Sequence, residues 1–472
     1  MSRSLRFLVL PIVVGLALPA AATAQVLQRP RRPFTGLFGG GPPPDPNRAR
    51  QELTLTVNVL GGYDDNLSIS DVGSGRPPDP GQDKAGYLGS GDLHLRFWRG
   101  TAQKSLEIDG RGYVTSYSNT DAGAIQGGSF RLGATTAWGR RGTIRVDQRN
   151  SFDPLYTLGG GFAPLRDAVG GDGLPGANSS TAGIFIRDSW TSDSVVGLDY
   201  RMGPSNQLSG TYSFDLRRYT DEQSGDSWAH HASLAFMKNL ARSASLRATY
   251  GYGHTTLEEV VGAVRTRPIE EHSFDVGPSY IKRISRTRQM LVSASAGAIH
   301  VESISNTTNL PFSYWAPYGA GQARLDLGRS WALWGDYRRA MTVLDGLTSQ
   351  TYMTDTAQVS VGGLASRLVE LVINGGFANG RAPNGSGSDS HFDTYIVGFQ
   401  GQVAITRNLA AFVNYSHFDY TFTATSDLPI GFQPSFSRNS ARFGIRLWVP
   451  LLGRYVDRGG NPGGATAPPS RP

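Results

Sequence analysis

The sequence predicts an all-β protein, a closed antiparallel transmembrane β-barrel of about 18 strands, and three observations support this fold class. From Glu52 to the end of the last strand, apolar and polar residues alternate with a period of two. Short turns alternate with long polar loops between these segments. The mean hydropathy is -0.28, which is expected where only alternate residues face lipid.

The first residues have the order of a secretory signal peptide. A basic start precedes an apolar run from residue 7 to about residue 18, and Ala22-Thr23-Ala24 stands before Gln25. A membrane-anchoring helix is the alternative, but this run is shorter than the ~20 residues that cross a bilayer. We therefore expect residues 1–24 to be a cleaved signal and the Gram-negative cell outer membrane to be the destination.

The rest of the chain divides into three predicted parts. Residues 25–50 are rich in Pro, Gly and Arg and predict a flexible periplasmic segment, residues 51–453 form the barrel, and residues 454–472 are a flexible C-terminal tail. The net charge of +7 lies mostly in the two flanking segments, which argues against nucleic acid as a partner. The absence of Cys excludes disulfides and thiol chemistry.

The strands were placed by their alternation. The first one carries Leu53, Leu55 and Val57 on one face and Thr54 and Thr56 on the other. The predicted strand centres are near residues 57, 93, 110, 132, 147, 196, 212, 234, 249, 277, 294, 323, 336, 359, 373, 398, 413 and 443. The facing is ambiguous at 273–281 and 290–300, and the long loops include 151–186 and 255–270.

A soluble propeller or sandwich also has many short alternating strands. The signal peptide, the alternation of short and long connections, and strands longer than the ~5–6 residues usual in soluble sheets all favour the membrane barrel. A barrel also satisfies every backbone group without a sheet edge in lipid. An even number of strands places both chain ends on one side of the membrane.

The last alternating segment resembles the C-terminal signal of outer-membrane barrels. Arg442, Gly444, Leu447 and Val449 occupy the polar, glycine and apolar positions of that signal. The resemblance implies recognition by the barrel-assembly machinery. The chain departs from the pattern because most such barrels end at this strand, whereas residues 450–472 follow it here.

The first strand is similar to the opening strand of the β-barrel porin type 2 group. The match consists of an alternating strand that runs into Tyr63, Asp64, Asp65 and Asn66. The resemblance implies the general barrel architecture and a link to the export of surface polysaccharide. It carries over no catalytic residue.

Charged residues on the wet face of the strands are candidates for the lining of a lumen. Both signs are present, which favours polar or weakly selective passage over a strongly ionic filter. The alternative, which we favour for most of these charges, is that they pair across neighbouring strands and solvate the interior. The candidates are Glu52, Asp92, Arg96, Glu107, Asp109, Arg111, Arg131, Arg247, Arg324, Asp326 and Arg446.

The longest predicted loop, 151–186, is too apolar for a freely solvated tether. One hypothesis is that it enters the lumen and narrows it, and the other is that it stays outside. Its glycine clusters lack the residues of a phosphate or calcium loop. The candidate constriction residues are Phe152, Tyr156, Phe162, Arg166, Asp167 and Asp172.

No constellation predicts catalysis, a metal site or a cofactor. The histidines lack Ser and acidic partners at a recognisable spacing, and adjacent His230 and His231 on a strand point to opposite faces. A passive pore or export conduit is the leading hypothesis, with outer-membrane lipid and polysaccharide or small polar solutes as partners. A surface-binding scaffold with a plugged lumen is the alternative, and an outer-membrane hydrolase is the third.

Overall fold

The structure is a computed structural model. It describes residues 49–66, 86–101, 103–118, 124–157, 183–220, 226–261, 263–285, 287–304, 311–328, 330–343, 351–382, 390–423 and 434–456. Among these residues no helix has the length and hydropathy required to cross a membrane. The predicted signal peptide and the N-terminal segment up to residue 48 lie outside the described residues.

Eighteen strands make up a single antiparallel sheet. They are β1 (Ala49–Asp64), β2 (Gly86–Gly100), β3 (Lys104–Tyr117), β4 (Ala124–Trp138), β5 (Gly142–Thr157), β6 (Gly183–Arg201), β7 (Asn206–Tyr219), β8 (Ser227–Asn239), β9 (Ala244–Val261), β10 (Ala263–Arg283), β11 (Gln289–Ile304), β12 (Pro311–Asp326), β13 (Ala332–Val343), β14 (Thr351–Leu364), β15 (Val369–Arg381), β16 (His391–Ala404), β17 (Leu409–Thr423) and β18 (Ser435–Val456). Every predicted strand centre falls inside one of these strands.

The sheet closes into a barrel because its first and last strands pair. Each strand pairs with the next along the chain, and β1 pairs with β18 from Ala49↔Val456 to Asp64↔Ser440. The predicted closed antiparallel barrel of 18 strands is therefore confirmed. Closure satisfies the backbone groups that an open edge would leave exposed to lipid.

Alternation along each strand separates an outer apolar face from an inner face. On β1, Val59 is 63% exposed while its neighbours Asn58 and Leu60 are buried. The same separation assigns the two strands whose facing the sequence left ambiguous, since Phe274 of β10 is exposed and Asp275 is buried. The outer face carries exposed Leu, Val, Ile, Phe and Tyr side chains all around the barrel.

Tight turns join the strands at the end of the barrel where the chain enters and leaves, which we call the turn end. In four of these turns a hydroxyl accepts a hydrogen bond from the backbone N–H two residues later, as expected of Ser and Thr in turns. The hydroxyls are those of Thr101, Ser285, Ser366 and Thr406. The longer connections lie at the opposite end, which we call the loop end.

Some predicted boundaries were wrong. The loop expected at 255–270 is a hairpin instead, because β9 continues to Val261 and β10 begins at Ala263. The last strand continues to Val456 and thus enters the predicted tail. It passes Pro450 at a register shift opposite Leu53 and Thr54, and a bulge is where a strand tolerates proline.

Strands β10 and β11 approach each other closely at two glycines. A Cβ atom built on Gly277 would lie 1.8 Å from the carbonyl oxygen of Ala294, and one on Gly297 would lie 1.7 Å from that of Phe274. Both glycines belong to the inner face. Only residues without a side chain permit this approach, so the two glycines allow the loop-end half of these strands to bend towards the lumen.

The wall is interrupted between β12 and β13 towards the loop end. These strands pair only over residues 319–326 and 332–339. Above that level β12 remains paired with β11 up to Pro311, and β13 remains paired with β14 up to Val343. Pro317, which has no backbone N–H to donate, lies just above the last pair.

Candidate pore lining

The structure places the candidate lumen residues on the inner face of the barrel. Their position follows from the strand registers, in which each of them stands opposite another residue of the same face. The residues are Glu52, Asp92, Arg96, Glu107, Asp109, Arg111, Arg131, Arg247, Arg324, Asp326 and Arg446.

Most of these charges are paired with a neighbour. The pairs on β2 to β6 leave their side chains partly exposed to the lumen, so they solvate the wall and do not form a dry core. The pairs are His94–Asp109 (2.6 Å), Arg96–Glu107 (2.7 Å), Arg131–Asp147 (2.6 Å) and Arg145–Asp199 (3.0 Å). Pairing across strands, which the sequence left open, thus accounts for much of the charge.

A more buried polar network crosses the junction of the first and last strands. The Asn58 amide donates to Asp92 Oδ1 at 2.7 Å and accepts from Arg446 Nε at 3.0 Å. Arg111 Nη2 lies 3.5 Å from Asp92 Oδ2. The network therefore connects β18, β1, β2 and β3 at one level of the inner wall, and its members complement each other in charge and hydrogen bonding.

One row across the strands carries charges of both signs at the same height. Arg131 of β4 stands opposite Arg149 of β5, which stands opposite Asp193 of β6, which in turn stands opposite Asp215 of β7. The row therefore runs from two arginines to two aspartates around one side of the lumen. A solute that passes it meets a transverse field and not a ring of one sign.

The opposite wall is aromatic at the loop end. Five inward rings of β14, β16, β17 and β18 are nearly inaccessible and contact one another. Their centroids are 5.3 Å apart for Tyr352–Phe392, 5.4 Å for Phe392–Phe422, 5.9 Å for Tyr420–Phe422 and 5.5 Å for Tyr420–Phe436. The charged part of the inner face therefore lies on β2 to β8, away from this aromatic wall.

The prediction that Phe152 and Tyr156 belong to a constriction loop was wrong. Strand β5 continues through Thr157, because the backbone of this segment pairs with β6. Phe152 lies on the outer face and is 39% exposed. Phe162, Arg166, Asp167 and Asp172, the remaining candidates, lie outside the described residues.

The residues that resemble an assembly signal divide between the two faces of β18. Arg442 and Gly444 face inwards, where Arg442 is buried and a Cβ on Gly444 would lie 2.4 Å from the carbonyl oxygen of Val59. Leu447 and Val449 face outwards, and Leu447 is 41% exposed. Glycine thus permits the close approach of β18 to β1 at the closure of the barrel.

The histidines lie within strands. His231 faces inwards and His230 faces outwards, as the alternation predicts. Outward histidines contact aromatic side chains: His230 lies 2.7 Å from the Tyr212 hydroxyl, and His272 lies 2.8 Å from that of Tyr250. In the described part of the chain no three His, Asp or Glu side chains are arranged to hold a metal ion.

No protein-family model matches the sequence, and no curated protein matches it. The resemblance to the β-barrel porin type 2 group therefore stays an expectation. Among solved structures, the chain is similar to the ferric-catecholate import receptor Fiu from E. coli K12, with 7% identity over 84% of this chain and 81% of that one and a TM-score of 0.41.

Two further solved structures are similar to this chain. Acinetobacter baumannii OccAB3 is 14% identical over 85% of this chain and 99% of that one, with a TM-score of 0.40. Pseudomonas aeruginosa OccK5 (OpdH) is 10% identical over 86% of this chain and 98% of that one, with a TM-score of 0.39.

Proposed function

We propose that this chain is an outer-membrane channel that conducts small polar solutes through the charged side of its lumen. The observation that carries the proposal is the cross-strand row of Arg131, Arg149, Asp193 and Asp215 on an inner wall whose outer counterpart is apolar. A polar interior is costly to enclose unless water fills it. A water-filled barrel accommodates both the polar inner wall and the apolar outer wall, because each strand shows one face to solvent and one to lipid.

The outer face supports the membrane placement. Towards the loop end, outward tyrosines donate their hydroxyls to polar groups, as Tyr337 does to Asp355 (2.5 Å) and Tyr415 to Asn439 (2.8 Å). Towards the turn end, Trp138 and Tyr200 are in contact and exposed. Aromatic side chains with a polar end favour the two interfaces of a bilayer, so these groups mark the limits of the apolar band.

The charge pattern indicates the class of solute. Neighbouring charges of opposite sign neutralise each other along the wall, and no ring of one sign crosses the described inner face. We therefore propose neutral or zwitterionic polar molecules as the preferred cargo. The same wall would also suit the export of a surface polysaccharide, a larger solute, since sugars are neutral and rich in hydroxyls.

A surface-binding scaffold is the second candidate, and the aromatic wall favours it. Buried Tyr352, Phe392 and Tyr420 fill part of the loop end, which reduces the space left for a conduit. In that case the barrel would display its loops and conduct little. The two candidates differ in a single measurable property, the passage of ions and solutes.

Conductance of the purified barrel in planar lipid bilayers tests the proposal. We expect stepwise currents, and liposomes that contain the protein should swell in solutions of small neutral and zwitterionic solutes. Migration of the unheated protein as a compact barrel on a gel verifies that the sample is folded. A folded sample that gives no current steps and no swelling contradicts the channel and supports the scaffold.

A further inference from the structure

The interruption between β12 and β13 leaves two strand edges side by side without backbone pairing. The upper half of β12, residues 311–318, faces residues 340–343 of β13 across it, and we call the contact between these segments the seam. The β4–β5 boundary also lacks pairing above Gly128 and Phe152, whereas β1–β2, β2–β3, β6–β7 and β8–β9 pair along nearly their full common length. A free edge inside a barrel requires an explanation, because barrels exist to remove such edges.

The two sides of the seam overlap. Tyr314, Ala316 and Tyr318 belong to the inner face of β12, whereas Met341 of β13 and Met353 of β14 belong to the outer face of their hairpin. These five residues nevertheless pack in one apolar cluster. The described loop-end parts of β13 and β14 therefore lie on the lumen side of β12, and the inner face of β12 covers the outer face of these two strands.

The bend in β10 and β11 places the loop-end half of these two strands over the described loop-end parts of β13 and β14. Gly277 and Gly297 let the loop-end half of β10 and β11 turn inwards, and above these glycines the inner face carries buried apolar side chains beside the charged Glu271 and Arg267. Ile269 and Val301, both of that face, are at most 1% exposed and belong to or adjoin the same cluster as Met353. The seam is thus a packed apolar contact that runs from the lumen to the outside of the wall.

Side-chain contacts alone hold the described seam, so separating it costs less than separating a paired strand boundary. Opening a paired strand boundary breaks a row of backbone hydrogen bonds, each of which must stay satisfied in lipid. Opening the seam breaks no such row. Two of its side chains are methionines, whose flexible thioethers repack around varied apolar shapes.

Different chemistry lies at the two mouths of the seam. On the lumen side, His231 Nδ1 is 3.3 Å from Glu271 Oε1, and Arg338 interacts electrostatically with the same histidine. On the outer side, Trp315 is 71% exposed, and its ring lies tilted against that of His300 with centroids 4.7 Å apart. Exposed aromatic side chains with a polar group favour the bilayer interface. A polar mouth and an apolar passage match a molecule with a polar head and an apolar tail.

We propose that the seam is a lateral portal between the lumen and the outer leaflet of the membrane, and that its ligand is an amphiphile with a long acyl chain. The head group stays with the charged residues of the lumen while the chain passes between Tyr314, Tyr318, Met341 and Met353. The portal is a function in addition to conduction along the barrel axis. It depends on the proposed channel only because both require an aqueous lumen.

Photolabelling in lipid vesicles tests the portal with hexadecanoate that carries a diazirine in its chain. Partly buried Tyr314 and buried Met353 are compared with lipid-facing Tyr395 and Val359, which are 49% and 53% exposed. We expect the seam residues to be labelled at a level comparable to the lipid-facing pair, as mass spectrometry of the peptides reports. Labelling of Tyr395 and Val359 without Tyr314 and Met353 would overturn the proposal.

A cross-linked seam provides the second test, and the chain has no native Cys to interfere. The variant A316C/M353C is bridged with a short bifunctional thiol reagent, and Q322C/D336C, a directly opposed pair in the intact part of the same boundary, is the control. Bridging the seam should lower the labelling of Tyr314 about tenfold, because the bridge prevents the two sides of the seam from separating. Bridging the control pair should leave the labelling of Tyr314 unchanged.

Conductance of the bridged variants separates this proposal from the channel function. Passage along the barrel axis does not use the seam, so the currents of bridged A316C/M353C should equal those of the unbridged variant. Loss of currents in every sample would count against the channel. Unchanged labelling of Tyr314 after a bridge verified by mass spectrometry would count against the portal alone.

Discussion

Arg438 of β18 donates from Nη2 to Asp64 Oδ2 of β1 over 2.7 Å, and both side chains are buried. Arg442 Nη2 lies 3.7 Å from the same carboxylate oxygen. The carboxylate thus holds two guanidinium groups of the last strand at the loop end of the first. Leu60 and Phe412 belong to an apolar cluster on the same inner wall. The group fixes the boundary at which the barrel closes.

We expect Asp64→Asn to destabilise the barrel strongly. The change leaves the buried guanidinium of Arg438 without its counter-charge, and breaking a buried pair costs about 3–5 kcal/mol. The free energy of unfolding in guanidinium chloride, followed by the gel mobility of the unheated protein, measures the effect. A loss below about 1 kcal/mol, as is typical of exposed pairs, would show that the pair contributes little.

Asp65→Asn is the matched control for that prediction. Asp65 is exposed, and its carboxylate accepts hydrogen bonds from the backbone N–H and the side-chain amide of Asn439, also at the β1–β18 boundary. The two substitutions change charge identically and differ in burial. We expect the control to lose no more than about 1 kcal/mol, because water replaces the exposed contacts.

The assignment of faces predicts opposite results at two adjacent residues of β8. Leu234→Arg puts a cation into lipid, which costs about 2–4 kcal/mol near the middle of the bilayer, and Leu234 is 48% exposed on the apolar face. Ser233→Arg points into the lumen, where Gly251 stands opposite and leaves room. The yield of folded barrel in membranes should fall only for Leu234→Arg. Equal yields would contradict the assignment.

The sequence predicted the strands well because an apolar and a wet face impose a period of two. The sequence-based prediction failed where the period of two is absent. The β9–β10 hairpin extends past the level at which β8 begins, at Ser227, so the upper part of β9 has no β8 residue to pair with. Residues 255–270 lack a clear alternation, and their polar character was interpreted as a loop.

The pore lining was predictable in part. Charged residues on the wet face could be assigned to the lumen from alternation alone, but their partners depend on registers that the period does not contain. The buried inner aromatics such as Phe392 and Tyr420 were missed because an inward aromatic contradicts a purely polar interior. The seam left one signal in the sequence, Pro317 within a strand, which marks an unpaired edge.

Charge changes in the lumen should shift ion selectivity in opposite directions. Arg96→Gln removes a cation that is partly exposed on the inner wall and should favour cations, whereas Asp193→Asn should favour anions. Reversal potentials under a salt gradient measure both, and the shifts should shrink at high ionic strength through screening. Arg218→Gln on the outer face of β7 is the control, and a shift equal to that of Arg96→Gln would contradict the lumen assignment.

The bend in β10 and β11 predicts that Gly297→Ala destabilises the barrel. The new methyl group would meet the carbonyl oxygen of Phe274 at 1.7 Å, and because that atom belongs to the backbone the strands must separate. Overpacking of this kind costs about 1–3 kcal/mol. Gly110→Ala on β3 is the control, since a Cβ there has no neighbour within 4 Å and should change stability by less than about 0.5 kcal/mol. Denaturant unfolding in lipid compares the two variants. A Gly297→Ala barrel as stable as Gly110→Ala would show that β10 and β11 do not need the close approach, and the inward bend that covers the β13–β14 hairpin would lose its physical basis.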